Sequence, residues 1–177
     1  MSSDDPERQN GMMVTFRLAD SEDAKKLAEI RCKSWKSAHR GIYPDEMLDC
    51  FDFAGHEKRF RNQIQDAQTA VYVIQSDGRE VGYVTLSHRD GYKNFKVCMD
   101  SLYLVPEAQG RGIGRAAVEF VREQCREMGY SKFYHSCNPH NHRACAFYTA
   151  MGGQVGERDD QNQDPAWDQW YYEYRLE

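Results

Sequence analysis

The stretch "PEAQGRGIGRAAVEF", residues 106–120, carries three glycines and two arginines within six consecutive positions, 110–115. Glycine has no Cβ, so the backbone N–H groups here can approach a bound phosphate closely. The apolar residues that follow recur at helical spacing, which places the glycines directly before a helix. Because the N-terminal end of a helix attracts anions, the stretch predicts a phosphate-binding turn rather than an ordinary strand-to-helix connection.

Two glycine patterns fit this stretch, and the first is typical of dinucleotide-binding folds. Residues 112–117 satisfy G-x-G-x-x-G/A. Those folds place the turn after their first strand and an acidic residue about 20 positions later, at the end of the next strand. Here four predicted strands precede the turn, and the next strand ends in Ser136-Cys137-Asn138 without a carboxylate. This disfavours a dinucleotide site, and a P-loop does not fit because no Gly-Lys-Ser/Thr follows.

Composition restricts the class of protein. The first residues are polar and acidic, so we expect a disordered tail at residues 1–12, without a secretory signal, and a single domain at residues 13–177. The sequence contains no run of about 18 apolar residues, so no membrane-spanning helix is predicted. The net charge of −5, without clustered Lys and Arg, argues against nucleic-acid binding. Six cysteines without paired spacing predict reduced thiols and a cytoplasmic location.

Hydrophobic periodicity predicts a mixed α/β (α+β) fold in the order β-α-α-β-β-β-α-β-α-β-β. Asp77-Gly78, between two apolar runs, predicts a hairpin, and a long strand begins near Lys96 and ends before Pro106. Asn138-Pro139 predicts the cap and first residue of the last helix. The order lacks the strict alternation of a doubly wound parallel sheet.

Two motifs together resemble the GNAT superfamily of N-acetyltransferases. The run "LYLVPEAQGRGIGRAAVEFV", residues 102–121, resembles its motif A, and it contains the second glycine pattern, Q-x-x-G-x-G. The run "NHRACAFYTAMGG", residues 141–153, resembles the later helix N-x-x-A-x-x-F-Y-x-x-x-G. The resemblance spans about residues 14–176. It implies a mostly antiparallel central sheet flanked by helices, and acetyl-CoA as the co-substrate for acetylating a primary amine of a small molecule or peptide.

The resemblance also implies how individual residues act. The backbone of Leu102, Tyr103 and Leu104 is expected to pair with the pantetheine arm, with the Leu102 N–H polarising the thioester carbonyl. Asn141 is expected to hydrogen-bond the cofactor, and Tyr148 to protonate the departing thiolate as a general acid. The residues expected to wrap the pyrophosphate are Gln109, Gly110, Arg111, Gly112, Ile113, Gly114 and Arg115.

The general base is less clearly indicated by the resemblance. Many members carry a glutamate at the positions of Cys98 or Ser136, and neither residue is acidic here. Asp100 is two residues from Cys98, so on a regular strand it shares that face. Asp100 is therefore a candidate general base, acting directly or through water. A water linked to solvent is an equal alternative.

A dense group of histidines and cysteines suggests zinc at first sight. Its spacing matches no standard zinc module, and part of it already belongs to the helix motif. We therefore expect no metal, with the two later histidines solvated. The group comprises His135, Cys137, His140, His142 and Cys145.

The acceptor amine is expected between the first helices and the sheet. Trp35 and Tyr43 are the predicted substrate-binding residues, at a spacing similar to that of small-molecule members of the family. Further wall candidates are His39, Asp45, Glu46 and Asp49. The aromatic C-terminal strand, residues 170–174, is expected to line a pocket or a homodimer contact. Two other functions stay open, a noncatalytic acyl-CoA sensor and, less favoured, a nucleotide-binding oxidoreductase.

Overall fold

The computed structural model describes the backbone of residues 7–9 and all of residues 11–177. Most of the predicted tail, residues 1–12, lies outside the described residues. Within that stretch Glu7–Gln9 form a strand that pairs antiparallel with the next one, which begins at Met12. The sheet therefore includes residues that precede the predicted domain start at residue 13.

The described residues form eight strands and five α-helices. The strands are β1 (Glu7–Gln9), β2 (Met12–Leu18), β3 (Thr69–Ser76), β4 (Arg79–Tyr92), β5 (Phe95–Leu104), β6 (Lys132–Cys137), β7 (Gln154–Asp159) and β8 (Gln169–Arg175). The helices are α1 (Ala24–His39), α2 (Asp45–Asp49), α3 (Phe53–Gln65), α4 (Ile113–Glu127) and α5 (His142–Ala150). The predicted order is confirmed apart from two additions, β1 and the short α2. None of these helices is long and apolar enough to cross a membrane.

The strands form one sheet in the order β1-β2-β3-β4-β5-β6-β8-β7. Every neighbouring pair is antiparallel except β5 and β6. Helix α4 covers one face, where its apolar stripe packs with Val97 and Met99, and helices α1 and α3 cover the other. The predicted fold class, a mostly antiparallel central sheet flanked by helices, is confirmed.

The parallel pair β5 and β6 separates almost as soon as it forms. Its register consists of a single pair, Cys98 with Tyr134. Beyond that pair, residues 101–104 of β5 pair only with β4, so their other edge is left without a strand partner among the described residues. Because α4 follows β5 and α5 follows β6, both helices begin at this open end. We call the opening the β5–β6 gap.

A bulge interrupts β5 where the gap begins. Thr85 pairs with Ser101 and Leu86 with Met99, so Asp100 has no opposite residue on β4. A bulge inserts one residue and shifts the alternation of side chains. Accordingly Met99 packs on the α4 face before the bulge, and Leu102 packs there after it. The strand is therefore not regular at Asp100, as the sequence argument assumed.

The C-terminal aromatic residues are used within the chain. Tyr172 and Tyr174 are fully buried, and Tyr171 stacks on Tyr92 with ring centroids 4.7 Å apart. Trp170 is half-buried and donates a hydrogen bond to Asp160. These contacts leave little of the strand for a dimer contact, and a homodimer stays a prediction.

Candidate active site

The glycine turn has the backbone conformation that its sequence predicts. Gly110 has φ +73° and Gly112, the N-cap of α4, has φ +85°. A side chain at either position would be strained, because left-handed backbone favours glycine. No side chain caps the helix and its first turn has no acidic residue. The first N–H groups of α4 therefore remain available for an anion.

Two arginines border this helix terminus. Arg111 and Arg115 are exposed, and neither forms an ion pair within residues 11–177. Guanidinium groups bind phosphates through charge-assisted hydrogen bonds. The turn, the open helix end and the two arginines thus form a site with the charge and the donors that a pyrophosphate requires.

Gln109 and Gly114 hold the turn in place. Gln109 donates through Nε2 to the carbonyl oxygen of Leu104 at 3.1 Å, which fastens the turn to the end of β5. A Cβ on Gly114 would lie 3.1 Å from Cζ of Phe147, so the first turn of α4 packs closely on α5. Gln109 therefore has a structural contact in addition to its predicted cofactor role.

The predicted pantetheine residues lie on the open edge of β5. Leu102, Tyr103 and Leu104 pair with β4 on one side and face the β5–β6 gap on the other. An extended ligand can pair with such a free edge as an added strand would. The gap therefore fits an arm that carries amide groups.

Tyr148 lies on α5, the helix that follows β6. Its ring centroid is 3.9 Å from that of His135 on β6, and its hydroxyl has no hydrogen-bond partner within the described part of the chain. Burial, followed by the neighbouring Cys137, raises the pKa of Tyr148 well above its usual value. The phenol is therefore protonated at neutral pH and available as a donor.

His135 packs against Tyr148. It is buried, stacks on Tyr172 with centroids 5.2 Å apart, and its Nε2 lies 3.1 Å from the Tyr174 hydroxyl. Burial lowers the pKa of His135 to about 4, so the ring is neutral at pH 7. Across the described residues no three metal-ligating side chains come together.

The two later histidines of that group differ in environment. His142 is exposed, as expected, but the Nε2 of His140 lies 3.0 Å from the Oδ2 of Asp168. This contact lowers the pKa of the Asp168 carboxyl. His140 is nevertheless exposed, as expected, and has this contact with Asp168 in addition.

The start of α5 differs from the sequence prediction. Asn141 caps the helix, because its Oδ1 accepts from the Ala144 N–H at 3.2 Å. Asn138, which was predicted to be the cap, instead accepts from the His140 N–H and donates to the Pro165 carbonyl oxygen at 2.9 Å. A bond from residue i+2 back to an asparagine side chain is an Asx-turn, and Asn-Pro sequences favour it. Within residues 11–177 the amide N–H₂ of Asn141 has no hydrogen-bond acceptor, so it can make the predicted cofactor contact.

The candidate base Asp100 is half-buried and forms an ion pair with Arg89. Cys98, at one of the family's glutamate positions, is buried, and desolvation raises its pKa to about 12. The negative charge of Asp100 contributes to that shift. Asp100 is thus close to the position of the family's base, but its carboxylate already has a cationic partner.

The predicted substrate residues belong to a set of stacked rings, which we call the aromatic wall. Trp35 and Tyr43 lie 5.7 Å apart by their ring centroids, and Tyr43 is 4.7 Å from His39. Burial raises the pKa of Tyr43, and the neighbouring Tyr103 and Asp164 raise it further. The aromatic wall comprises Trp35, His39, Tyr43, Phe51 and His56.

The acidic residues that were candidates for the wall of the acceptor site do not belong to the aromatic wall. Asp45 and Asp49 pair with Arg40 at 2.8 and 3.0 Å, and Glu46 is exposed. One residue beside the wall was missed. Arg31, on α1, donates to the Tyr83 hydroxyl at 3.1 Å and lies 5.4 Å from the centroid of the Tyr103 ring. The signal was its place between Leu27 and Trp35, four residues from each, on the apolar stripe of the helix.

Known proteins are similar to this chain in sequence and in fold. Residues 26–152 match the Acetyltransferase (GNAT) family. The chain is 27% identical over 127 residues to the uncharacterised N-acetyltransferase YuaI of Bacillus subtilis, covering 69% of this chain and 70% of YuaI. It is 25% identical over 149 residues to the peptidyl-lysine N-acetyltransferase YjaB of Escherichia coli, covering 84% of this chain and 88% of YjaB.

A solved structure agrees with the topology. The PaiA N-acetyltransferase of Thermoplasma acidophilum, in complex with coenzyme A, superposes with a TM-score of 0.76 at 20% identity, covering 92% of this chain and 99% of PaiA. The family match extends over more than half of the chain and includes the glycine turn and the helix that carries Tyr148. The chain therefore belongs to the GNAT family of acetyltransferases and is an acyltransferase of that type.

Proposed function

We propose that this protein transfers the acetyl group of acetyl-CoA to a primary amine of a small molecule or peptide. The observation that carries the proposal is the arrangement around the β5–β6 gap. We place three features beside this gap: the anion-binding turn, the free edge of β5, and the hydroxyl of Tyr148, which has no hydrogen-bond partner in residues 11–177. A binding module without catalysis has no need for the third feature.

Different residues bind different parts of the cofactor. The N–H groups at the start of α4, with Arg111 and Arg115, hold the pyrophosphate, and the edge of β5 from Leu102 to Leu104 pairs with the pantetheine arm. Acetyl-CoA supplies the acetyl group as a thioester. The Leu102 N–H stabilises the negative charge that develops on the carbonyl oxygen.

Tyr148 supplies the proton that the leaving sulfur needs. The free amine attacks the thioester carbonyl carbon, so that a C–N bond forms and the C–S bond breaks. Tyr148 gives its hydroxyl proton to the sulfur, and the proton lost by the amine passes to a base. The raised pKa of Tyr148 keeps this proton in place until the sulfur acquires charge.

Asp100 is the carboxylate that we propose as the base, directly or through one water. It lies at the start of the gap, on the strand that carries Leu102. The carboxylate of Asp100 is paired with Arg89, so it must either accept the proton while it still contacts Arg89 or leave Arg89 when it accepts the proton. A water that reaches the gap from solvent remains the alternative.

The protein is also proposed to act in the cytoplasm. All six cysteines are free thiols, and Cys137 and Cys145 lie 3.6 Å from the same carbonyl oxygen, that of Asn138, without being joined. Unpaired thiols are typical of proteins in reducing compartments.

An amine screen tests the proposed function. The protein is first heated with acetyl-CoA or with NAD, and we expect acetyl-CoA to raise the melting temperature more. A panel of primary amines, including amino acids, polyamines and lysine peptides, is then assayed for release of the free thiol. Stabilisation by NAD alone, or thiol release that no amine accelerates, contradicts the proposal.

A further inference from the structure

Three basic side chains gather on the α1 and α3 face of the sheet. They are Arg31 on α1 and His56 and Arg59 on α3. Arg31 and Arg59 border a cavity of about 10 Å³, together with Tyr83 of β4 and Ser101 of β5. We call this group the cationic cleft.

No acidic side chain neutralises the cationic cleft. Within residues 11–177 neither Arg31 nor Arg59 forms an ion pair. The polar contact of Arg31 is with the Tyr83 hydroxyl, a neutral group. Arg59 is exposed, but the half-buried Arg31 loses part of its hydration, and an anion or several acceptors must replace that water.

Two nitrogen atoms of the cationic cleft have no hydrogen-bond partner among the described residues. The Nε of Arg31 and the Nδ1 of His56 are buried and lack a hydrogen-bond partner in the described structure. Burial lowers the pKa of His56, and the charges of Arg31 and Arg59 lower it further, against a weaker opposing effect of Asp52. The two helices thus bring Arg31 and Arg59 close to His56, and the opposing effect of Asp52 on the pKa of His56 is weaker than theirs.

The cleft lies next to the proposed reaction centre. The ring of Tyr103, beneath Arg31, belongs to the segment of β5 that is proposed to hold the thioester. The charge of Arg31 also acts on His39 and Tyr43 of the aromatic wall. An anion in the cleft would therefore be part of the acceptor molecule and not of the cofactor, whose phosphates have their own site at α4.

We propose that the acceptor amine carries a carboxylate, and that Arg31 and Arg59 bind it. The cavity has room for about one water-sized atom, which matches a single carboxylate oxygen placed at the Arg31 Nε. Carboxylates form charge-assisted hydrogen bonds with guanidinium groups. The substrate class is then small amino acids and related amino carboxylates. This inference rests on the proposed acetyl transfer.

Matched substrates test the inference. Free amino acids and the corresponding amino acid amides are compared by kcat/KM, with each rate corrected for the fraction of free amine. We expect the wild type to prefer the carboxylate by about tenfold or more, as loss of a charge-assisted contact implies. Arg31→Gln and Arg59→Gln should remove this preference by lowering the rate for the acids and not for the amides. Arg31→Lys should restore it in part.

Controls separate the cleft from the fold. Arg61→Gln, on the same helix as Arg59 but paired with Glu57 at 2.5 Å, should retain the full preference. Acetyl-CoA affinity, measured by calorimetry, should be unchanged in every variant. Equal rates for acids and amides in the wild type, or equal losses for both in Arg31→Gln and Arg59→Gln, would overturn the inference.

A binding measurement distinguishes this inference from the proposed function. N-acetyl amino acids and their amides are titrated into the protein saturated with coenzyme A. Tighter binding of the acids that depends on Arg31 and Arg59, without turnover of any amine, supports the cleft and contradicts acetyl transfer. Turnover of amines with no such difference in binding supports acetyl transfer and rejects the cleft.

Discussion

At the scale of single residues, Tyr148 has the most specific proposed task. We expect Tyr148→Phe to keep the ring packed on His135, because only the hydroxyl is removed and that hydroxyl bonds to no described residue. Loss of a general acid lowers kcat by about 10²–10⁴-fold. Acetyl-CoA affinity should persist. Steady-state kinetics with calorimetry measure both, and a kcat within about twofold of wild type assigns the proton to another donor.

The role of Asp100 is distinguished from that of its ion pair by two variants. If Asp100 is the base, Asp100→Asn should lower kcat/KM and change the pH profile of kcat/KM, because the group that accepts the proton is gone. Arg89→Gln breaks the same ion pair and leaves the carboxylate in place. If both variants show the same profile, the ion pair rather than the base explains the effect.

His135 predicts a pH dependence of stability. Its pKa is lowered from 6.5 to about 4 by burial, so the folded state disfavours the charged form. The neutral ring therefore contributes stability above pH 6.5, and this contribution is lost as the pH falls toward 4. The loss amounts to about 3 kcal/mol in the free energy of unfolding. Urea unfolding from pH 7 to pH 4 measures it.

Two variants separate His135 from the other titrating groups. His135→Phe should weaken the pH dependence, since phenylalanine cannot be protonated. His142→Gln changes an exposed histidine and should leave the dependence as in wild type. An unaltered pH dependence in His135→Phe would show that this histidine is not responsible.

At the scale of elements, the turn before α4 is expected to set cofactor affinity. Gly112→Val places a side chain among the helix N–H groups and strains a backbone at φ +85°. We expect acetyl-CoA to bind about tenfold more weakly, equivalent to about 1.4 kcal/mol. Gly129→Val imposes similar strain at the other end of the same helix, at φ +79°. Equal acetyl-CoA affinities in the two variants would reject the glycine turn as the pyrophosphate site.

The elements also show what the sequence could predict. The turn at residues 110–115 was readable because glycine and arginine act there through local geometry and charge. The bulge at Asp100 was not, because it depends on the register between β4 and β5, which hydrophobic periodicity does not determine. The start of α5 was displaced by three residues, since Asn138 and Asn141 are equally good caps by composition.

At the scale of the whole molecule, topology decides between the two glycine patterns. Among the described strands only β5 and β6 are a parallel pair, and the glycine turn follows β5. A dinucleotide fold needs a mostly parallel sheet with the turn after its first strand. Arg31 was missed for a related reason. A helical charged residue normally indicates a solvated face, and only the packing of α1 on Tyr83 and Tyr103 reveals that Arg31 is half-buried.

The central claim is that an acetyl group moves from the thioester to an amine at the β5–β6 gap. The most direct measurement quantifies, in one reaction, the N-acetylated amine by mass spectrometry and the free thiol of coenzyme A. The account predicts equal amounts of the two with the wild-type protein, and a common decrease of both in Tyr148→Phe. Thiol without acetylated amine, or neither product from a protein that binds acetyl-CoA, would contradict it.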